Sequence, residues 1–189
     1  LDNVVLTEHG SNFTCGGHDY FTNLLGASNV QNCLAAISLT SMLGVGHDAQ
    51  RAALAASRAE PGRMESIFWD RLLVINDTYN ANPVSMKAAI KFAGQLKRRR
   101  VFVLGDMLEL GAQSRALHEE VGTYAKQNAD VILTFGNQAQ YYNGQHFADD
   151  NGLLACLKEN LRGDEVMLFK ASRALRFERY IARLARLLR

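Results

Sequence analysis

Val74-Ile-Asn-Asp-Thr-Tyr-Asn-Ala-Asn-Pro83 joins a buried strand to a helix. Leu73 to Ile75 read as the end of the strand, and Asp77 falls at its carboxyl end. Val84-Ser-Met-Lys-Ala-Ala-Ile90 begins a helical pattern, and Pro83 suits its first turn, where a missing N–H leaves no bond unmade. A polar loop between a buried strand and a helix is where open α/β sheets bind ligands. The free N–H groups of a helix start favour an anion there. Val101-Phe-Val-Leu-Gly-Asp-Met-Leu-Glu-Leu-Gly111 repeats the arrangement. The two loops point to a small-molecule site that handles charged oxygen groups.

Outward from these loops the pattern alternates. Strands are expected at 66–69, 72–76, 101–105, 131–135 and 165–169, and helices at 84–97, 114–128, 151–161 and 174–188. The strands are short and apolar throughout, as expected where both faces of a sheet are covered. The βαβα order predicts a doubly wound, mostly parallel sheet of Rossmann-like type. Residues 1–25 read as short β segments with turns at Gly10 and Gly16-Gly17. Helices follow over Asn29 to Leu43, with Asn29 as N-cap and Gly44 as C-cap, and over Asp48 to Arg58. Glu60-Pro-Gly-Arg63 breaks the pattern and divides the chain into units 1–62 and 63–189.

The chain has 189 residues, 48% of them hydrophobic, enough to bury a core. A net charge of +2 implies no strong preference for nucleic acid or an acidic membrane as partner, and neither is expected. No apolar run reaches the ~20 residues a membrane span needs. Cys15, Cys33 and Cys156 are odd in number, far apart and without a C-x-x-C pair, which reads as reduced cytosolic thiols rather than a disulfide or metal site. The histidines show no metal-ligand spacing. The chain opens on Leu1 inside a strand pattern, which reads as a fragment.

Asp77-Thr-Tyr-Asn-Ala-Asn-Pro83 followed by Ser85-Met86 resembles the signature of the Mur ligases, ATP-dependent amide-forming enzymes of peptidoglycan synthesis. Gly105-Asp-Met-Leu-Glu-Leu-Gly111 with His118 resembles the branch that adds D-alanyl-D-alanine to a UDP-muramoyl tripeptide through an acyl phosphate. Gly26-Ala-Ser-Asn-Val-Gln-Asn32 and Pro61-Gly-Arg-Met-Glu65 precede them in the family's order. The resemblance implies the end of a central ATP-binding domain over 1–62 and the C-terminal domain over 63–189. It implies ATP with Mg2+, the two substrates as partners, a cytoplasmic location and a monomeric full-length enzyme. The family's phosphate-binding G-x-x-G-K-[ST] loop has no counterpart here, so the chain alone is expected to be inactive, with magnesium ligands mainly elsewhere.

Each candidate residue also has an ordinary explanation. Asn32, in the first turns of a helix, is implied to contact the adenine, although Ser28 stands where the family often has His before Asn. Arg63 reads as a solvated loop arginine or, by resemblance, as a nucleotide contact whose planar guanidinium suits phosphate or a base. Asp77 caps its turn or, as the resemblance implies, accepts the ribose hydroxyls. Asn80 and Asn82 are turn residues or ligand contacts. Asn137, in Gly136-Asn-Gln138, and Lys170, Ser172 and Arg173, in Lys170-Ala-Ser-Arg173, follow later strands, and resemblance assigns both loops to the incoming amino component. Lys170 and Arg173 would suit its carboxylate. Ala171 stands where the family usually has Gly. No residue is assigned a catalytic role. A non-catalytic α/β binding module, or a receiver-like regulatory module with Asp106 as phosphoacceptor, remains as the alternative.

Overall fold

The computed structural model describes residues 1–188; Arg189, the last residue of the second expected unit, lies outside them. Three antiparallel strands, β1 (Asp2–Thr7), β2 (Gly10–Cys15) and β3 (His18–Thr22), open the chain as a meander. Two helices, α1 (Ala27–Met42) and α2 (His47–Ala56), cover it, and Phe13, Tyr20, Val30, Cys33 and Ile37 form the core between them. The second part holds β4 (Glu65–Trp69), β5 (Leu72–Asp77), α3 (Pro83–Gly94), β6 (Arg100–Gly105), α4 (Ser114–Lys126), β7 (Val131–Phe135), β8 (Gln145–Phe147), α5 (Asp150–Asn160), β9 (Val166–Lys170) and α6 (Glu178–Leu187).

These strands form one sheet in the order β4-β5-β9-β6-β7-β8. Only β4 runs antiparallel, paired with β5 as a hairpin. The other neighbours are parallel. Alternate residues of each strand feed opposite cores, as the two-residue period of a strand requires. Leu73, Ile75, Phe102 and Leu104 pack under α3 and α4 with Met86, Ile90 and Val121. Leu72, Val74, Val101 and Val103 pack under α5 and α6 with Leu157, Tyr180 and Leu184. Helices on both faces explain why the strands read as continuous apolar runs, and the expected doubly wound α/β architecture is what the molecule has.

Several expectations shift by a few residues. Helix α1 begins at Ala27, after Gly26, so Asn29 is not its cap; its amide donates instead to the Leu25 carbonyl at 2.9 Å. At the other end Gly44 adopts φ 79° and, with Val45, returns N–H groups to Ser41 and Thr40, the expected stop. The last helix starts at Glu178 rather than 174, because Arg176 sits in the left-handed region at φ 50° after a short 3-10 turn. Its charged face is solvated while Tyr180, Ile181 and Leu184 are buried. Strand β8 was not expected: three residues with a mostly exposed Gln145-His146 carry no apolar run to read.

Candidate functional site

The five parallel strands end on one edge of the sheet, so the loops after β5, β9, β6 and β7 open together. Beside the β5 end a cleft of about 500 Å³ lies between that edge, α3 and the start of α1. Asn32, Arg63, Asp77, Asn80, Asn82 and Lys170 all line it. Gly26 and Ala27 bring the α1 start to its wall, and Leu6, Leu25 and Phe92 add apolar surface. Residues 32, 63 and 77, far apart in sequence, thus share one cavity. Asn137, Ser172 and Arg173 lie outside its lining.

At the floor of the cleft, Asp77 and Lys170 are cross-strand neighbours. The Lys170 ammonium donates to Asp77 Oδ2 at 2.5 Å and to the Asn80 carbonyl at 2.9 Å. Asp77 Oδ1 accepts the Met64 N–H at 3.0 Å, which ties the β5 loop to the turn before β4. Lys170 is only 1% exposed. Burial pushes its pKa below the usual lysine range, the Asp77 charge and hydrogen bond oppose that, and the Arg63 charge adds to it. Lys170 is therefore held against Asp77 in the cleft, whose lining does not include Arg173. The strand register decides this, which one sequence does not display.

The asparagines have structural work. Asn82 caps α3: its Oδ1 accepts the Ser85 N–H at 2.9 Å, and Ser85 Oγ returns to the Asn82 N–H at 3.2 Å. The start of α3 is thus capped by its own residues rather than left open for an anion. Asn80 Oδ1 accepts the next N–H, at Ala81. Asn32 Nδ2 donates to Asn29 Oδ1 at 3.2 Å on the exposed helix surface.

A second cluster forms around Asp106. Its carboxylate accepts the N–H groups of Asn137, Gln138 and Ala139 at 2.7–2.9 Å. Its carbonyl accepts the Ser172 N–H, and Ser172 Oγ accepts the Leu108 N–H, both at 2.9 Å. Gly136 makes this possible, since a Cβ there would stand 2.4 Å from Asp106 Oδ1. With both oxygens engaged and the residue 5% exposed, Asp106 offers no phosphoacceptor, so the receiver-like alternative loses its acceptor. Asn137 is exposed, and the Arg173 side chain is 63% exposed. The Ala171 methyl packs against Gly105, where a Cβ would meet it at 2.7 Å, so the close approach at this turn is kept by glycine on the facing strand.

Two further residues shape this edge of the sheet. His118, named above as part of a motif, is fully buried and holds the β6 loop: Nε2 accepts the Met107 N–H at 3.0 Å while Nδ1 lies 2.7 Å from the Ser114 carbonyl. That pairing fixes the neutral ring with its proton on Nδ1. Tyr79 is 43% exposed, and its ring stands against Arg63 at the cleft wall. An aromatic residue between polar loop residues was its only signal.

The geometry agrees with what the chain resembles. The family model described as Mur ligase, glutamate ligase domain, matches residues 62–183. The UDP-N-acetylmuramoyl-tripeptide–D-alanyl-D-alanine ligase of Escherichia coli (strain K12) is 38% identical over 192 residues, covering 95% of this chain and 42% of that enzyme. The enzyme of the same name from Bacillus subtilis (strain 168) is 33% identical, covering 96% and 43%. The solved structure of MurF from Acinetobacter baumannii matches with a TM-score of 0.84 at 30% identity, covering 96% of this chain and 43% of that one. MurF ligase from Thermotoga maritima in complex with ADP shares the fold, with a TM-score of 0.87 at 24% identity, covering 99% and 46%. This chain spans about two fifths of the length of the curated relatives it matches.

Proposed function

The chain belongs to the Mur ligase family, whose glutamate ligase domain it carries over residues 62–183, and from that premise we propose that it is the part of an ATP-dependent ligase that closes over the nucleotide and presents D-alanyl-D-alanine to a UDP-muramoyl tripeptide. In this reading residues 1–62 finish the central ATP-binding domain and 63–189 form the C-terminal domain of a cytoplasmic, monomeric enzyme. Among the described residues no helix is long and apolar enough to cross a membrane.

The observation that carries the proposal is the single cleft that gathers Asn32, Arg63 and Asp77 from three separated motifs. Its size and its mixed polar and apolar lining fit a nucleoside. Asn32 would meet the base, Asp77 the ribose hydroxyls and Arg63 the phosphates. Asp77 is held by Met64 and Lys170, and each carboxylate oxygen keeps a lone pair for a hydroxyl. Bound there, ATP would supply the phosphoryl group that turns the tripeptide's terminal carboxylate into an acyl phosphate, on which the dipeptide amine forms the amide and releases phosphate. Magnesium would accompany the nucleotide; among the described residues no three His, Cys, Asp or Glu side chains are grouped to hold a metal ion, and no residue here is assigned to it.

Asn137 and Arg173 are the proposed grip on the dipeptide, with Asn80 nearer the nucleotide. The Arg173 fork suits a carboxylate. Ser172 would act through the loop it braces. Holding the amine in line is the contribution of this half, and orientation of two reactants is worth ~7–11 kcal/mol in favourable cases.

Calorimetric titration of this chain with ADP tests the reading. The wild-type chain should bind, and Asp77→Ala should bind about tenfold or more weakly, as expected for lost hydrogen bonds to a charged group. A wild-type chain that binds no ADP, or an Asp77→Ala variant that binds it equally well, removes the cleft from the nucleotide.

A further inference from the structure

Tyr79 stands against two cations. Its backbone N–H donates to the Gly62 carbonyl at 2.9 Å, which locks the loop after β5 onto the turn before β4. On the face of its ring lies Arg63, the guanidinium carbon 3.7 Å from the ring centroid. Arg173, from the turn after β9, has its guanidinium carbon 5.8 Å from the same centroid. Among the described residues Arg63 has no carboxylate partner, and Arg173 has only Glu178 at 4.0 Å. Arg63 and Tyr79 both line the cleft.

A guanidinium stacked on a ring keeps its N–H groups free at the edge. An arginine that is stacked in advance loses less rotamer freedom when an anion arrives. We propose that Tyr79 is a positioning residue of the nucleotide cleft: its ring fixes the plane of Arg63 so that the N–H edge meets the phosphate chain of a nucleoside diphosphate. The ring is shared with Arg173, and so it ties the nucleotide side of the site to the β9 loop. The inference rests on the nucleotide reading of the cleft.

The test is calorimetric binding of ADP and of adenosine to the chain and to Tyr79→Phe, Tyr79→Ala, Tyr79→Leu, Arg63→Ala and the Tyr79→Ala/Arg63→Ala double variant. Phe keeps the cation–π face and should bind ADP within about twofold of wild type, whereas Ala and Leu should weaken ADP roughly three- to tenfold, the size of such a contact at a half-exposed site. In the Arg63→Ala background, Tyr79→Ala should add nothing. Adenosine, which lacks phosphate, should bind wild type and Tyr79→Ala alike. Leu retains apolar bulk, so an ADP loss in both Ala and Leu excludes a mere packing defect. Additive losses, failure of Phe to rescue, or an equal loss of adenosine would overturn the proposal. ADP binding that ignores Tyr79→Ala removes Tyr79 alone; no ADP binding by wild type removes the nucleotide reading, and this use of Tyr79 with it.

Discussion

Lys170, only 1% exposed and with its ammonium bound to one carboxylate, is the residue on which the cleft depends most. Removing one member of a buried pair strands the other, at a cost of about 3 kcal/mol or more. Lys170→Met should lower stability to urea by about 3 kcal/mol, and adding Asp77→Asn should recover much of that loss by removing the stranded charge. A Lys170→Met chain as stable as wild type would show that Asp77 is already satisfied by water. His118 gives a pH signature. Burial depresses its pKa, against the opposing Ser114 hydrogen bond and Asp106 charge. The unfolded chain therefore takes up its proton first, near pH 6.5, and the stabilisation present above that pH is lost as pH falls toward the folded pKa. Melting temperatures of wild type and His118→Gln, compared from pH 7.5 to 5, should converge on the acid side; parallel curves would exclude His118 as the source. At this scale the motif in the sequence points to Asp77 and Arg63, which the fold brings to one cleft. It hid the partner of Lys170, because cross-strand register is a property of the folded sheet.

Among elements, α3 shows how a local signal carries two meanings. Asn82-Pro83-Val84-Ser85 was read as ligand loop and helix start together, and the observed hydrogen bonds serve the helix start. Asn82→Ala should cost about 1 kcal/mol of stability in chemical denaturation, the usual worth of an N-cap. A loss confined to ADP affinity would return Asn82 to the ligand. Buried strands flanked by turn residues were legible because burial on both faces leaves only apolar choices. β8 was not, being three residues long and half exposed. The start of α6 was misplaced because nothing in Arg173-Ala-Leu-Arg176 announces a left-handed arginine. The Asp106 cluster likewise joins loops 31 and 64 residues apart, beyond any local pattern.

At the scale of the whole molecule, the meander with its two helices and the larger sheet are pinned together at the sheet edge where β5, β6 and β9 begin. Arg98 forks onto Glu8, with its Nε and one terminal nitrogen 2.7 and 2.8 Å from the two carboxylate oxygens. The Arg98 hydrogen bond holds the Glu8 pKa below the usual carboxylate range. This contribution is therefore present above about pH 4.3 and is lost as pH falls through the folded value. Acid titration of Glu8→Gln against wild type should show a shallower loss of stability below pH 5 in the variant; identical slopes would mean that the fork contributes nothing measurable.

The place of β9 in the sheet sets a timetable for synthesis. β9 sits between β5 and β6, which have no direct pairing with each other. Asp77 closes β5, and Val166 opens β9, 89 residues later (166 − 77). A ribosome adding ~5–20 residues per second needs roughly 4–18 seconds to cross that interval. Once β6 is complete at Gly105, the nascent chain holds two apolar strands whose shared neighbour has not been translated. Ribosome-bound chains stalled before Val166 should be cut readily by protease, and chains released through Lys170 should resist. Equal resistance before Val166 would mean that the halves of the sheet settle without their middle.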